Sequence, residues 1–283
     1  MKNVVIAGLV LVLSTGCAVQ ITERNVIRPD RPGEARPDGV LDAAAAPAWR
    51  LSPVTLPVSD GELAGVAASH ASGADTSAAT VLYFGGNAFH LDQHGRRVLD
   101  AVAPCGVDVV MVDYRGYGRS TGVPTIATMQ SDALQAFDFV NARHPGRVVL
   151  HGQSLGSFIA AYVARQRPAA RGLILEATTT NARDWGNAML PWYVWPFVRL
   201  ELSEPLAGID NVAAVSGYAG PGLVLEGADD NVTPPRLAAK VYDAMPSRSK
   251  RMLVVPGAGH NDVLSNPVTQ PAYCEFIRQV ASI

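Results

Sequence analysis

Three short stretches hold residue types that together could split an acyl bond. The first, Gly152-Gln153-Ser154-Leu155-Gly156, has the form G-x-S-x-G. Glycines two before and two after a serine suit a strand that turns sharply into a helix. They remove side chains that would clash in the turn and leave the hydroxyl exposed. Further on, Glu226-Gly227-Ala228-Asp229-Asp230-Asn231-Val232-Thr233-Pro234 supplies carboxylates, and Pro256-Gly257-Ala258-Gly259-His260-Asn261-Asp262 supplies an imidazole. A serine hydroxyl is a weak nucleophile until a histidine takes its proton and a carboxylate fixes that histidine's tautomer. Ser154 is the expected nucleophile and His260 its expected general base. Asp229 and Asp230 both stand where the carboxylate is needed.

Such a set works only if separate elements bring it together. Apolar, β-branched runs at Thr80–Phe84, Val107–Val112, Arg147–Leu150, Leu173–Leu175, Leu223–Leu225 and Met252–Val255 alternate with amphipathic stretches such as Gln130–Ala142, Leu155–Arg165 and Pro235–Ala244. This pattern predicts an α/β fold: a mostly parallel sheet covered by helices on both faces. Leu51–Val58, a turn at Asp60-Gly61, and Glu62–Ala68 read as an antiparallel opening to that sheet. Ser154, the acid loop and His260 each follow one of the predicted strands, where ligands gather in such sheets. The alternation breaks at Trp185–Leu206, where Trp185, Trp192, Tyr193, Trp195 and Phe197 cluster. Either these aromatics line an apolar substrate pocket or they belong to a packed helix pair.

Chain order narrows the family. Serine, then acid, then histidine is the order of α/β-hydrolases. Leu82-Tyr83-Phe84-Gly85-Gly86-Asn87 resembles their oxyanion loop, and Asp113-Tyr114-Arg115-Gly116-Tyr117-Gly118-Arg119-Ser120 resembles their D-x-R-G-x-G-x-S loop. The combination looks most like the Bem46-like (ABHD13-type) branch of serine hydrolases, over about Val54 to Ile283. The resemblance implies an α/β-hydrolase domain at 51–283 with a lid-like segment near 181–210. It implies Asp230 as the triad acid, on the G-x-x-D-x-x-x-P spacing from Gly227 to Pro234, leaving Asp229 to cap the following turn. It also implies oxyanion donors at the backbone N–H groups of Leu155 and of Gly86 or Asn87. Two residues depart from the pattern: Phe84, where many relatives have His, and Ser157, where many have a second Gly.

Other candidates carry less. His90 and His94 lie at i, i+4, but no cysteine or carboxylate cluster completes a metal site around them. His90 is better placed to contact substrate after the oxyanion loop. His151, at a strand end, reads as a packed structural residue, and Asp113 and Arg115 as a pair within a structural loop. No cofactor is called for.

The N-terminus suggests a membrane. Met1-Lys2-Asn3 is followed by an apolar run, Val4 to Leu13, then Leu13-Ser14-Thr15-Gly16-Cys17. Ten apolar residues reach roughly 15 Å as a helix, half a bilayer core, which suits a signal segment rather than a span. The end of the run resembles the lipobox of bacterial lipoproteins, with Ser14 where Leu is commoner. That implies a signal peptide over 1–17, a lipid on Cys17, and a protein facing the periplasm or cell exterior. Ala18 after Cys17 favours the outer membrane. Residues 18–50, rich in Pro, Ala, Asp and Arg, read as a flexible tether. Cys105 and Cys274 then remain, either bridged in an oxidising compartment or separately buried. A net charge of −2 without blocks of like charge gives no electrostatic case for nucleic acid.

The expected function is hydrolysis of a carboxylic ester, thioester or lipid acyl bond through an acyl-enzyme. The alternatives are a serine peptidase of the same fold, or a lipoprotein that only binds. A haloalkane dehalogenase would carry Asp at position 154.

Overall fold

The computed structural model describes residues 17–30, 40–71 and 79–283. Residues 1–16 of the expected signal segment (1–17) lie outside the described residues, as does 31–39 of the expected tether.

The described residues contain an eight-stranded sheet. Its opening hairpin is β2 (Trp49–Val58) and β3 (Gly61–His70), antiparallel to each other; β3 is antiparallel also to β5 (Asp108–Val112). The other strands run parallel: β4 (Thr80–Phe84), β5, β6 (Val148–Gln153), β7 (Gly172–Glu176), β9 (Gly222–Gly227) and β10 (Lys250–Val255). The spatial order is β10-β9-β7-β6-β4-β5-β3-β2. Successive side chains along a strand point to opposite faces, and the core divides accordingly. Leu82, Phe84, Val110, Leu150, Leu175 and Val224 pack on one side with α3 (Ile126–Arg143), α4 (Leu155–Gln166) and α8 (Pro235–Ala244). Val81, Tyr83, Val109, Met111, Val149 and Ile174 pack on the other with α2 (Leu91–Val102) and α9 (Thr269–Ala281). The expected two-sided α/β architecture is borne out.

On the second face a disulfide joins Cys105, in the turn after α2, to Cys274 of α9, resolving an alternative that the sequence left open.

Two regions depart from expectation. Over its described parts, the 18–50 stretch is not a tether. Cys17–Ile21 forms β1, which pairs in parallel with β8 (Val198–Leu202), and Glu23–Val26 is a short helix, α1. Ile27, Leu41, Ala46 and Trp49 are buried in the two core clusters. The free edge of β8 and the apolar hollows beside the sheet give these residues partners that their local composition does not announce. The second departure is the pairing of Arg115, whose guanidinium makes a buried two-pronged ion pair with Asp132 at 2.6 and 2.7 Å. Asp113 instead accepts the backbone N–H groups of Leu91 and Arg119 at 2.8 and 3.0 Å. Burial, opposed by those two bonds, leaves its pKa raised to about 6.

Between an isolated bridge at Asn181 and Asp210 the chain leaves the sheet. It forms α5 (Ala182–Met189), a turn at Trp192–Val194, β8, and α6 (Glu204–Ala207) before α7 (Asn211–Ser216) returns to the core. Asn181 caps α5 by accepting the Asp184 N–H at 2.8 Å.

Candidate active site

Ser154 sits between β6 and α4 with φ 54° and ψ −115°. A left-handed φ is costly for a residue with a Cβ, so the turn needs support. Its backbone N–H donates to Glu176 O at 2.9 Å, pinning it to the end of β7. A Cβ on Gly152 would lie 2.1 Å from Gly156 O, and one on Gly156 would lie 2.1 Å from Phe84 O. The two glycines of the motif are thus where backbone meets backbone. The oxyanion-loop departure at Phe84 is turned into the core, with 1% exposure, and is not among the cavity-lining residues. Ser157 is also buried, its hydroxyl accepting from Thr178 and Asn211.

The three predicted chemical groups converge. His260 Nε2 is 2.9 Å from Ser154 Oγ, and His260 Nδ1 is 2.8 Å from Asp230 Oδ2. Asp230 follows β9 and is buried; its other oxygen accepts the backbone N–H groups of Val232 and Thr233 at 2.7 and 2.8 Å. Burial alone would raise its pKa. The His260 contact and the Thr233 backbone bond outweigh burial and hold the carboxyl down at about 2. Asp229 is exposed and its carbonyl receives the Asn231 side chain. The turn-capping role expected of Asp229 belongs to Asp230, because only the buried carboxylate faces the inward N–H groups.

Gly86, Asn87 and Leu155 line the same cavity as Ser154 and His260. Gly86 approaches the serine closely enough that a Cβ would lie 3.4 Å from Ser154 Cβ. The Asn87 side chain is occupied elsewhere, donating to Val26 O at 2.6 Å and accepting from Tyr117 Oη at 2.9 Å.

Several participants were not foreseen. Thr233 Oγ1 lies 2.8 Å from Asp230 Oδ2 and 3.1 Å from His260 Nδ1, so a hydroxyl braces the acid and the imidazole together. Its signal was the threonine three residues after an aspartate, a spacing that favours local turns. Glu226, fully buried near the end of β9, has its pKa pushed up to about 10, first by burial and then by the charge of Asp230. The N-terminal segment forms part of the cavity wall through Asn25, Val26 and Arg28. The opposite wall is apolar, with Phe158, Trp185, Met189, Leu206 and Ile209, around a volume of about 360 Å³. Of the two readings of the aromatic stretch, pocket lining holds for Trp185.

His90, His94 and His151 are engaged outside the site. His90 does not line the cavity; its Nε2 is 2.5 Å from Asp30 Oδ1, which draws the N-terminal segment down. His94 Nδ1 lies 3.0 Å from the His90 backbone nitrogen. Among the described residues no three potential ligands gather as a metal-binding group. His151 is fully buried between Glu176 and Tyr273.

Known proteins agree with this architecture. The family model described as "Serine aminopeptidase, S33" matches residues 75–211, and that described as "TAP-like protein" matches 184–280. An uncharacterized protein of Mycobacterium tuberculosis is 33% identical over 217 residues, 75% of this chain and 73% of its own length. Protein bem46 of Schizosaccharomyces pombe is 28% identical over 65% of this chain and 62% of its own. Lysophosphatidylserine lipase ABHD12 of Xenopus tropicalis is 33% identical over 62% of this chain, which spans about half (49%) of that protein. Among solved structures, the esterase Pf2001 of Pyrococcus furiosus superposes with a TM-score of 0.68 over 87% of this chain and 98% of its own, at 17% identity. The proline iminopeptidase of Mycobacterium smegmatis gives 0.66 over 82% and 99%, also at 17% identity. The chain belongs to the α/β-hydrolase superfamily, in its Bem46-like branch.

Proposed function

We propose that this hydrolase cleaves the acyl bond of a carboxylic ester, thioester or lipid through an acyl-enzyme on Ser154. The observation that carries the reading is the continuous contact from Ser154 Oγ through His260 to Asp230 at the floor of an apolar cavity. His260 takes the serine proton as Oγ attacks the carbonyl, and later delivers it to the leaving group. Asp230, held anionic, fixes the imidazole tautomer and stabilises the imidazolium. The N–H of Leu155 and that of Gly86 or Asn87 receive the developing oxyanion; losing one such donor costs about 3–4 kcal/mol. Water activated by the same histidine then releases the acid.

A peptidase that engages a free amino terminus needs an anion near the scissile bond. No side chain lining the cavity, among the described residues, is a carboxylate; Arg28 brings a positive charge instead. This favours the ester reading over the peptidase relatives.

The test is labelling of the full chain with a fluorophosphonate probe beside Ser154→Ala and His260→Ala. Labelling of the wild type that disappears in both variants supports an activated serine. A folded wild type that stays unlabelled refutes it and leaves the binding-lipoprotein alternative. Hydrolysis of p-nitrophenyl esters of increasing chain length then separates short esters from lipids.

We also propose that Cys17 carries the lipid and anchors the protein to a membrane, the outer membrane where there are two, facing the periplasm or exterior. The apolar Val4–Leu13 run ahead of Cys17 supports this. Incorporation of labelled palmitate that Cys17→Ala abolishes is the expected result; incorporation unaffected by the substitution refutes it.

A further inference from the structure

We propose that the lid edge formed by Tyr193, Trp195 and Phe197 is a membrane-docking face that sets the mouth of the Ser154 cavity against the lipid surface. The proposal rests on the reading of Cys17 as the lipid attachment site. From Leu190 to Val198 the chain carries no charged residue. Tyr193, Trp195 and Phe197 are 60%, 54% and 58% exposed, while every other aromatic side chain described is buried or half-buried. Exposed apolar groups that cluster rather than scatter mark an interaction surface, and Trp and Tyr favour the boundary between lipid and water.

Two observations commit this face to a bilayer. The first is register. In the parallel β1–β8 pair, Cys17 is the partner of Val198, the residue directly after Phe197. Paired strands lie roughly 5 Å apart. Because the pair is parallel, both strands start at the same end. A lipid on Cys17 therefore enters the membrane beside the aromatic run, and the anchor delivers this edge to the surface. The second is continuity with the cavity. Met189, 48% exposed, also lines the cavity, and Trp195 Nε1 donates to the carbonyl of the adjacent Leu190 at 3.2 Å, so the aromatic edge lies beside the apolar cavity wall.

The test reconstitutes the full lipidated chain in phosphatidylcholine–phosphatidylglycerol vesicles with brominated acyl chains. Tryptophan emission of a Trp192→Phe protein should be quenched by bromines near the headgroups, and most of that quenching should vanish when Trp195→Phe is added. A Tyr193→Ser, Trp195→Ser, Phe197→Ser triple variant should hydrolyse a long-chain ester in vesicles roughly tenfold more slowly. Its rate on a soluble short-chain p-nitrophenyl ester should stay within about twofold. Equal quenching of the Trp192→Phe protein with and without Trp195→Phe overturns the proposal. So does a dimer that the triple variant dissolves, since the face would then serve self-association. A wild type inactive on both esters would sink the hydrolase reading alone, because quenching decides docking without turnover. Wild-type protein without palmitate on Cys17 that is still quenched through Trp195 would sink the anchor reading and leave the docking face standing.

Discussion

The cavity has two walls made in different ways. The floor that holds Ser154, Asp230 and His260 consists of strand ends in a two-sided core, where backbone approaches backbone and the acid is 3% exposed. The second wall comes mainly from short elements, α1 with Asn25 and Val26, α5 with Trp185 and Met189, and α6 with Leu206, held by the β1–β8 pair and a few polar ties such as His90 to Asp30. Its outer surface carries Met189, Tyr193, Trp195 and Phe197 in the open. A shape fixed from both faces of a sheet can hold three groups in reacting register. A wall assembled on one side can change its lining without disturbing them. The difference assigns reaction chemistry to the first wall and choice of substrate to the second.

The contrast is sharpest at neighbouring aspartates. Asp230→Asn should lower kcat about 10⁴-fold, by stabilising the wrong histidine tautomer. Asp229→Asn, on the exposed side of the same loop, should stay within about twofold. Comparable losses in both would break the assignment of the acid. The same logic applies to one substitution made on each wall. In Gly156→Ala the new Cβ would meet Phe84 O at 2.1 Å and Gly85 O at 2.6 Å, both backbone atoms. In Gly186→Ala it would meet only Leu200 Cδ1, at 2.8 Å, which a rotamer change relieves. Denaturant unfolding should show a loss of about 4 kcal/mol or more for the first and under about 1 for the second. Near-equal losses would mean that the lid is as rigid as the strand ends.

The Cys105–Cys274 bridge tests the first wall from behind, since it spans 169 positions on the face that carries α2 and α9. Cys105→Ser should cost about 2–5 kcal/mol of stability while leaving kcat per folded molecule unchanged. A fall in kcat at full folding would show that the strand ends depend on that distant tie. On the second wall, Trp185→Ala should raise KM for long-chain esters about tenfold, with kcat on a short ester within about twofold. If kcat falls on both substrates alike, Trp185 serves the chemistry and the division fails.

The sequence was most legible where the signal is local. Six apolar, β-branched runs marked the parallel strands, and β4, β6, β7 and β9 are buried at every position, as strands covered on both faces must be. The elbow glycines mark contacts that tolerate no side chain, and chain order sorted the serine, acid and histidine. Legibility failed where partners lie far apart in the chain. β1 pairs with β8 across some 180 residues, and nothing in a five-residue strand beside Pro- and Arg-rich sequence announces that edge. Arg115 pairs with Asp132 on α3, 17 residues on, rather than with Asp113. The bridge from Cys105 to Cys274 depends on how α9 lies against α2, which composition does not encode.

The smallest expected effect concerns Glu226, which shows that the first wall is defined as much by a suppressed charge as by a held one. Asp230 and Glu226 stand four residues apart, with pKa values displaced in opposite directions, to about 2 and about 10 from ordinary values of 3.8 and 4.5. Asp230 contributes stability above its ordinary pKa, and that contribution is lost as pH falls through about 2. Glu226 behaves in the opposite sense. The folded state keeps its proton while the unfolded chain sheds one above about 4.5, so stability falls as pH rises from about 4.5 towards 10. Glu226→Gln cannot ionise and leaves an oxygen to accept the Gly227 N–H, as Glu226 does at 3.2 Å. The variant should match the wild type in melting temperature at pH 4 and exceed it by a margin that widens towards pH 8, equivalent to about 1 kcal/mol or more. kcat should change little, since Asp230 keeps its charge and its contact with His260. A margin largest in acid would reverse the assignment, with Glu226 ionised in the folded protein and the negative charge behind the site shared between two carboxylates.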